Sequence, residues 1–522
     1  MKAKKIEISA EEVEALLDRV KNGSLVQGDY EIIEGVIETY MLLNQAVAEK
    51  DTSIKRLLKM IFGHKTEKTK KSKNGKKKKV ARRNKDKTRG HGKNGADDYA
   101  GAETAAVTHD ALHHCDSCPA CDDGKLYRQL SPSMVVRIKG APPLQATVYE
   151  LEKLRCNICG KIFTADLPAE AGSQKYDETA SAMLANLRYG SGLPLNRIAK
   201  LQTGMGIPLA PSTQWDVIEK MADKIHPVFP ELIRQAAQGD VIHNDDTSMK
   251  IQELMAENQD TLQKPSRSGI FTTNILSIRD NRKIALFFTG RNHAGENMAN
   301  LLKHRQNSLD PPVQMCDALS RNSSEEFQTL LAHCLVHGRR NFVDVAGDFP
   351  DECKYVVETL GKVYHTDAIT SEKNMSPAQR LHFHQANSGP LMEELHCWLK
   401  QQFDDKRVEP NSSLGKAITY MLNHWNELTL FLSVEKAPLD NNICERAIKM
   451  AILHRKNSLF YKTEHGAYIG DMFMSLIHTC ALSRINPFEY LTELQKNSSA
   501  VFQTPHQWLP WNYQEKIDRS VS

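Results

Sequence analysis

The segment from Gly239 to Asp317 constrains the fold most tightly. Residues 240–251, DVIHNDDTSMKI, read as one strand, and residues 269–278 and 283–289 read as two arms of a hairpin turning at 279–282. A helical pattern over 294–302 follows, then a short apolar strand, 313–316, with Asp317 at its end. Three successive strands, a helix and a fourth strand predict a domain in which sheet and helix pack on each other.

The acids of this segment are candidates for chemistry. Asp245 and Asp246 sit in the first strand and Asp317 ends the fourth, while residues 440–446, DNNICER, open a helix with Glu445 in its first turns. Two strand aspartates and a helix glutamate supply the hard oxygen donors that Mg²⁺ or Mn²⁺ prefers. A pair of such ions, about 3.5–4 Å apart, activates an attacking hydroxyl and stabilises a leaving oxygen in phosphoryl transfer. Taken singly, the same residues have a plainer reading. Most lone carboxylates are solvated surface charges, and Glu445 stands four residues before Lys449, the spacing of a helix ion pair.

Length and composition bound the remainder. The chain has 522 residues, enough for three or four domains, and its 40% hydrophobic content is compatible with well-buried cores. No apolar run approaches the roughly 18 residues that span a bilayer, and the opening Met1-Lys2-Ala3-Lys4-Lys5 leads into an acidic segment. A cytoplasmic protein without a membrane partner is expected. The cysteines number eleven, four of them in two C-x-x-C pairs, which points to reduced thiols and metal ligands instead of disulfides. The net charge of +4 hides its distribution, because residues 65–93 hold fifteen Lys or Arg against two acids. That run lacks apolar periodicity and reads as a flexible basic tether over 64–104, drawn to DNA phosphates by counterion release. Lys76, Lys77, Lys78, Lys79, Arg82 and Arg83 are its candidate DNA contacts. A solvated linker without a partner is the competing reading.

Upstream, residues 1–63 are helical in pattern. Ser9 and Glu12 form a capping box, and Gly23 stops a first short helix. Ile33, Val36, Tyr40, Leu43, Val47, Lys50, Ile54, Leu57 and Ile61 then step by three and four. This is the seam of a coiled coil, and so of a homodimer or higher oligomer; an amphipathic helix packed on its own domain shares the pattern. Within 105–172, Cys118-Pro-Ala-Cys121 and Cys156-Asn-Ile-Cys159 resemble two zinc knuckles, whose four thiolates complete a tetrahedron around one structural Zn²⁺. The knuckles stand farther apart than in the usual zinc ribbon, and residues 135–138 and 146–151 read as strands of a hairpin joining them. Cys115, His113 and His114 are alternative ligands.

Residues 173–236 turn helical. Two helical stretches, 195–201 and 211–218, flank a glycine turn, with Ser212 or Thr213 as cap of the second. A DNA-binding helix-turn-helix and a plain helical hairpin both fit. The stretch 350–436, between Asp317 and Glu445, reads as a mainly helical insertion in which His365, His382 and His384 are surface or core residues, not ligands.

Several motifs resemble those of one family in the same order. IHNDDTSMKI at 242–251, CD at 316–317, HCLVHGRRNF at 333–342 and PLDNNICERAIKMAILHRKNSLF at 438–460 look like the motifs of the insertion-sequence-66 family transposases. KMIFGHKTEK at 59–68, GHGKNGADDYAGAE at 90–103, the paired knuckles and SLIHTCALSRINPFEYL at 475–491 resemble its leucine-zipper end, zinc-finger region and C-terminal element.

The resemblance implies a D-D-E transposase with a ribonuclease-H-like α/β catalytic core formed by 237–349 and 437–475, followed by a C-terminal element, 476–522. The fold class expected is therefore multidomain α+β: coiled coil, zinc-ribbon-like domain, helical DNA-binding region, and catalytic core with a helical insertion. Implied partners are the terminal inverted repeats of the element, target DNA and accessory proteins encoded by the same element, at the bacterial nucleoid. The family's first aspartate, in a pattern like H-x-D-E-T, matches Asp245, and Asp246 stands where the family has glutamate. Successive strand residues face opposite sides, so only one of the two points at a metal; Asp245 is expected there, with Asp246 as the alternative.

Asp317 and Glu445 match the second and third acids. Asn441, Asn442 and Arg446 fall on D-N-N-x-x-E-R and would support the glutamate or contact DNA; Arg455 and Lys456 match R-K-N, with His454 where relatives often show glycine. Cys334 and His337 match a C-x-x-H, read as packing or substrate positioning, and Arg339 and Arg340 after it as phosphate contacts. Two other classes keep some of these features: a catalytically inactive, transposase-derived zinc-ribbon regulator, and a Mg²⁺-dependent nuclease without strand transfer.

Overall fold

The computed structural model describes residues 143–155, 162–259, 267–323 and 326–521, position 141, and scattered positions between 16 and 33 and between 113 and 127. Two compact units emerge: residues 66–143, and Met1–Lys65 together with Leu144–Ser522. In the smaller unit the Cys115 N–H donates to Leu126 O (2.8 Å), and Ser117 pairs antiparallel with Lys125. This pairing brackets Cys118 and Cys121, which lie outside the described residues, as do the tether with Lys76, Lys77, Lys78, Lys79, Arg82 and Arg83, the capping box at Ser9, and Gly23. Of the expected coiled-coil seam only Ile33, in a helix, is described.

In the larger unit, β1 (Lys153–Arg155) pairs antiparallel with β2 (Ile162–Thr164) around Cys156 and Cys159, themselves outside the described residues. The strand expected over 146–151 is not there; pairing begins at Lys153. Residues 146–151 pair with none of the described residues, and Val148 is 85% exposed. The other arm, 135–138, lies outside the described residues.

Four helices come next: α1 (Glu178–Ala185), α2 (Leu195–Gly204), α3 (Pro211–Ile225) and α4 (Val228–Ala236). Both helices of the predicted hairpin form, but Ser212 and Thr213 do not cap α3. Ala210 is its N-cap and Pro211 its first residue, a position where proline's missing N–H costs nothing and its fixed φ suits the helix.

The central sheet follows: β3 (Val241–Ser248), α5 (Gln252–Glu257), β4 (Phe271–Arg279), β5 (Arg282–Gly290), α6 (Ala294–Leu302), β6 (Val313–Cys316), β7 (Leu330–His333) and α7 (Leu335–Asp344). Strand order is β5-β4-β3-β6-β7. β3, β4 and β5 form an antiparallel meander, while β6 runs parallel to β3 and β7 parallel to β6. The insertion is helical as expected: α8 (Pro350–Glu372), α9 (Pro377–Asn387), α10 (Gly389–Asp404), α11 (Ser413–Asn423) and α12 (Trp425–Leu428). The chain then returns through α13 (Asn442–Ser458), α14 (Glu464–Leu482), α15 (Pro487–Lys496), α16 (Ser498–Gln503) and α17 (Tyr513–Val521).

Two apolar cores sandwich the sheet. Ile242, Ile275 and Leu286 pack with Leu184, Ile218, Phe229, Met472 and Phe473; Val241, Val313, Met315 and Ala332 pack with insertion residues such as Val356, Leu360, Leu399 and Ile418. Each large side chain so buried contributes roughly 1.5–3 kcal/mol. The domain limits expected at 236/237 and 475/476 therefore do not separate compact bodies. α14 runs unbroken through 475/476, and Gln495 of α15 reaches back to Ser181 (2.6 Å) and Glu178 in α1. Among the described residues no helix is long and apolar enough to cross a membrane.

The exposed edge of β5 is sealed by α14. Asp471 Oδ2 accepts the Thr289 N–H (2.6 Å), Ser475 Oγ the Phe287 N–H (2.9 Å) and Thr479 Oγ1 the Ala285 N–H (3.1 Å). Four residues of helix rise about 6 Å, and two residues of strand about 6.6 Å, so every fourth side chain of α14 meets every second N–H of β5.

Gly295, in the first turn of α6, fits against the loop after β6. A Cβ there would run into the carbonyl oxygens of Ser323 and Arg321. Gly295→Ala is expected to cost roughly 1–3 kcal/mol, because backbone must move to admit the methyl group. Urea unfolding should show a lower midpoint with an unchanged slope.

Candidate active site

The register of the sheet separates the two aspartates that the sequence left paired. Val241 lies opposite Val313 and His243 opposite Met315 in the parallel β3–β6 ladder. Carried two residues further on the same face, this register sets Asp245 beside Asp317. Asp246 faces the other way, where its carboxylate meets His293 Nδ1 (2.9 Å) and an Arg321 guanidinium nitrogen (3.3 Å) and is 2% exposed. Asp245 thus looks toward the third acid, and Asp246 is spent on an ion pair under α6.

Glu445 arrives on α13, which crosses β3 and β4. The start of this helix is tied down by a buried amide. Asn441 Nδ2 donates to Asn244 O (3.1 Å), so its Oδ1 is left to accept His243 Nδ1–H (3.0 Å). Its backbone N–H donates to Cys334 Sγ (3.2 Å), and its carbonyl takes the Glu445 N–H (3.0 Å). Burial pushes His243 down to about 4, so this ring is neutral. Behind Asp317 a second web of amides runs through Gln314, Asn244 and Asn322, and Asn322 Nδ2 donates to Asp317 Oδ1.

The acids converge closely enough to disturb one another. Burial, then the negative charges of Asp317, Asp246 and Glu445, push Asp245 up to about 7, against the hydrogen bond from the Asp246 N–H. Glu445 Oε1 is buried without a hydrogen-bond partner, with His337 Nε2 3.9 Å away. Crowded carboxylates and an orphaned carboxylate oxygen are what a cation would relieve, so the residues present fit divalent metal. Cys334 is buried, its thiol is pushed up to about 12, mainly by burial, and its Sγ lies within 4.8 Å of a ligand atom of His337 and of Glu445.

The remaining predicted residues divide. Arg446, Lys456 and Arg340 are exposed, and Arg339 is partly buried, its pKa lowered by that burial. Arg455, expected on DNA, is engaged within the chain: it donates to Thr247 Oγ1 (3.0 Å), Ser248 O (2.5 Å) and Ser248 Oγ (2.7 Å), holding the end of β3. Asn442 donates to Asp440 through its backbone (3.0 Å) and side chain (2.7 Å). His454 leaves the helix undisturbed and stacks on Tyr461 (4.6 Å between ring centres) and Tyr189. His384 is a core residue bonded to Asp367 and Ser388.

Sequence reasoning missed β7, His293, Arg321 and the amide web. None carries a local signature, although Arg321 and Asn322 close behind Asp317 were a positional hint.

A five-stranded mixed sheet of this order, with one acid within β3, one just beyond β6 and a third on a crossing helix, is consistent with a ribonuclease-H-like core of the D-D-E class. The model of the family described as "Transposase IS66 family" matches residues 174–469, which include all three acids and the helical insertion. The uncharacterized protein y4jD of Sinorhizobium fredii is 27% identical over 369 residues, covering 66% of this chain and 68% of the relative. The uncharacterized protein y4hP of the same organism is 24% identical over 394 residues, covering 71% and 68%. The chain belongs to the IS66 transposase family. It is accordingly a DDE transposase, a phosphoryl-transfer enzyme that binds DNA and uses divalent metal.

Proposed function

We propose that this transposase cuts DNA at the ends of its own element and joins the freed ends to target DNA, with Asp245, Asp317 and Glu445 as the metal-binding acids. The observation that carries this reading is the β3–β6 register that sets Asp245 beside Asp317, with Asp245 close enough to feel the charges of Asp317 and Glu445. Mg²⁺ or Mn²⁺ held there would activate the attacking hydroxyl and stabilise the leaving oxygen. Asp245, within β3, and Asp317, just beyond β6, present their carboxylates from adjacent strands, and Asn441 fixes the turn that presents Glu445. Arg455 keeps the end of β3 in register, while the exposed Arg446, Lys456 and Arg340 contact DNA phosphates.

In the first step water attacks the phosphodiester at the element end, its proton is lost, and the 3′-oxygen leaves as a free 3′-OH. In the second, that 3′-OH attacks a target phosphodiester and displaces the target's own 3′-oxygen. In each step one P–O bond forms as another breaks: the first hydrolyses a phosphodiester, and the second exchanges one phosphodiester for another, so no external energy source is needed. The zinc reading of Cys118, Cys121, Cys156 and Cys159, the basic tether and the dimer rest on the sequence, and we keep them as parts of the proposal.

Joining distinguishes this enzyme from a plain nuclease. Given pre-cut element ends bearing a 3′-OH, the protein should insert them into target DNA in Mg²⁺ or Mn²⁺, read as branched products on a denaturing gel. Cleavage of intact ends without any joining of pre-cut ones would assign it to the nuclease class.

A further inference from the structure

A second cluster of metal-ligating side chains lies outside the three acids. β7 ends at His333, whose partner in β6 is Cys316. His333 is 7% exposed, and its Nδ1 is buried with no hydrogen-bond partner. Facing it is the turn where α11 passes into α12, with His424 as N-cap of the short helix and Glu427 three residues on. That spacing sets both side chains on one side of a single helical turn. One ring nitrogen from each histidine and one Glu427 oxygen all lie within 4.8 Å of one another. The two rings meet edge to face at 5.0 Å. His333 Nδ1 has no hydrogen-bond partner among the described residues, so neither His424 nor Glu427 satisfies it.

We propose that His333, His424 and Glu427 form a transition-metal site of the zinc class that pins the helical insertion to the edge of the catalytic sheet. The donor set carries the argument. Two imidazoles and one carboxylate suit Zn²⁺, whereas Mg²⁺ demands oxygen ligands and keeps its waters. Imidazole ligates through a ring nitrogen free of other partners, and His333 is buried with its Nδ1 unpartnered. A modest closure of the three groups brings them to the zinc–nitrogen and zinc–oxygen distances of roughly 2.0–2.2 Å, with a fourth position left for water. The site uses none of the three acids, so one chain would hold two classes of metal in neighbouring places. Its role is mechanical: it fastens the α11–α12 corner to the strand beside the one that ends in Asp317.

The test uses the full-length protein in excess Mg²⁺, which keeps the oxygen sites filled, with added Zn²⁺ or Co²⁺ as the probe. His424→Ala and Glu427→Gln change partly exposed residues and spare the core; His333→Gln is the third variant. Wild type should carry about one equivalent more zinc, by elemental mass spectrometry, than each variant. With Co²⁺, the variants should lose visible d–d absorption of a tetrahedral nitrogen–oxygen site and keep any thiolate-to-cobalt charge-transfer band. Equal zinc content and identical cobalt spectra in wild type, H424A and E427Q would overturn the proposal, and those two variants suffice if H333Q fails to fold. Neither readout involves DNA cleavage, so the result is independent of the proposed reaction.

Discussion

Asp317→Asn should leave binding to element-end DNA unchanged while cutting falls by roughly 10³-fold or more, about 4 kcal/mol of lost transition-state stabilisation. The amide keeps the shape of the carboxylate and can still meet Asn322, so the fold has no reason to change. What it loses is the negative charge that Asp245 now feels across the β3–β6 ladder. A gel-shift titration and a single-turnover cleavage assay on the same DNA separate the two effects. Undiminished cutting would remove Asp317 from the chemistry and, with it, the three-acid reading of the site. Asp246→Asn serves as the contrast: its partners are His293 and Arg321, so its effect should be far smaller.

The second large effect concerns stability and pH. Asp471 is fully enclosed, and burial pushes it up to about 7 against the two hydrogen bonds it accepts from Thr289. Its ordinary value is 3.8, so between about 4 and 7 the native state holds a proton that the unfolded chain has released. Raising the pH through that window therefore favours unfolding. The stability this group contributes is fully present below about 3.8 and is lost as pH rises through about 7, a change on the order of 4 kcal/mol. Asp471→Asn keeps the shape and cannot titrate. The difference between its urea-unfolding free energy and that of wild type, followed from pH 4 to about 8, should reproduce this slope. Asp245 titrates in the same range but is present in both proteins and cancels. Parallel pH profiles for the two would show that Asp471 is not the titrating group.

Much of the core was legible because its strands are spelled out locally. β4 and β5 read as a hairpin, and the turn falls at Asp280 and Asn281, between Arg279 and Arg282. Asp317 at the end of β6 followed from the apolar run before it. β7 escaped notice: Leu330–His333 is four residues long and carries no turn residues to mark it. The choice between Asp245 and Asp246 was open because alternation says that they diverge, not which side receives the metal. Pairing with β6 sets Asp245 in register with Asp317, and His293 and Arg321 hold Asp246, which is why we propose Asp245 for the metal. Glu445, 128 positions beyond Asp317, joins the site through tertiary packing, which no local pattern encodes; family resemblance was the sole pointer. The limits proposed at 236/237 and 475/476 follow the extent of motifs, and the apolar residues on either side of both share one core.

The rungs that Asp471, Ser475 and Thr479 offer to β5 have a bearing on assembly. An unprotected border strand invites a neighbouring molecule to zip onto it, and enzymes that gather several copies around two DNA ends are at particular hazard of misjoining in that way. Here the outward amides of Ala285, Phe287 and Thr289 are already occupied from within the same chain. Along this border the chain offers a neighbour side-chain surfaces, whose identity selection can tune, and not a backbone that would accept any comer.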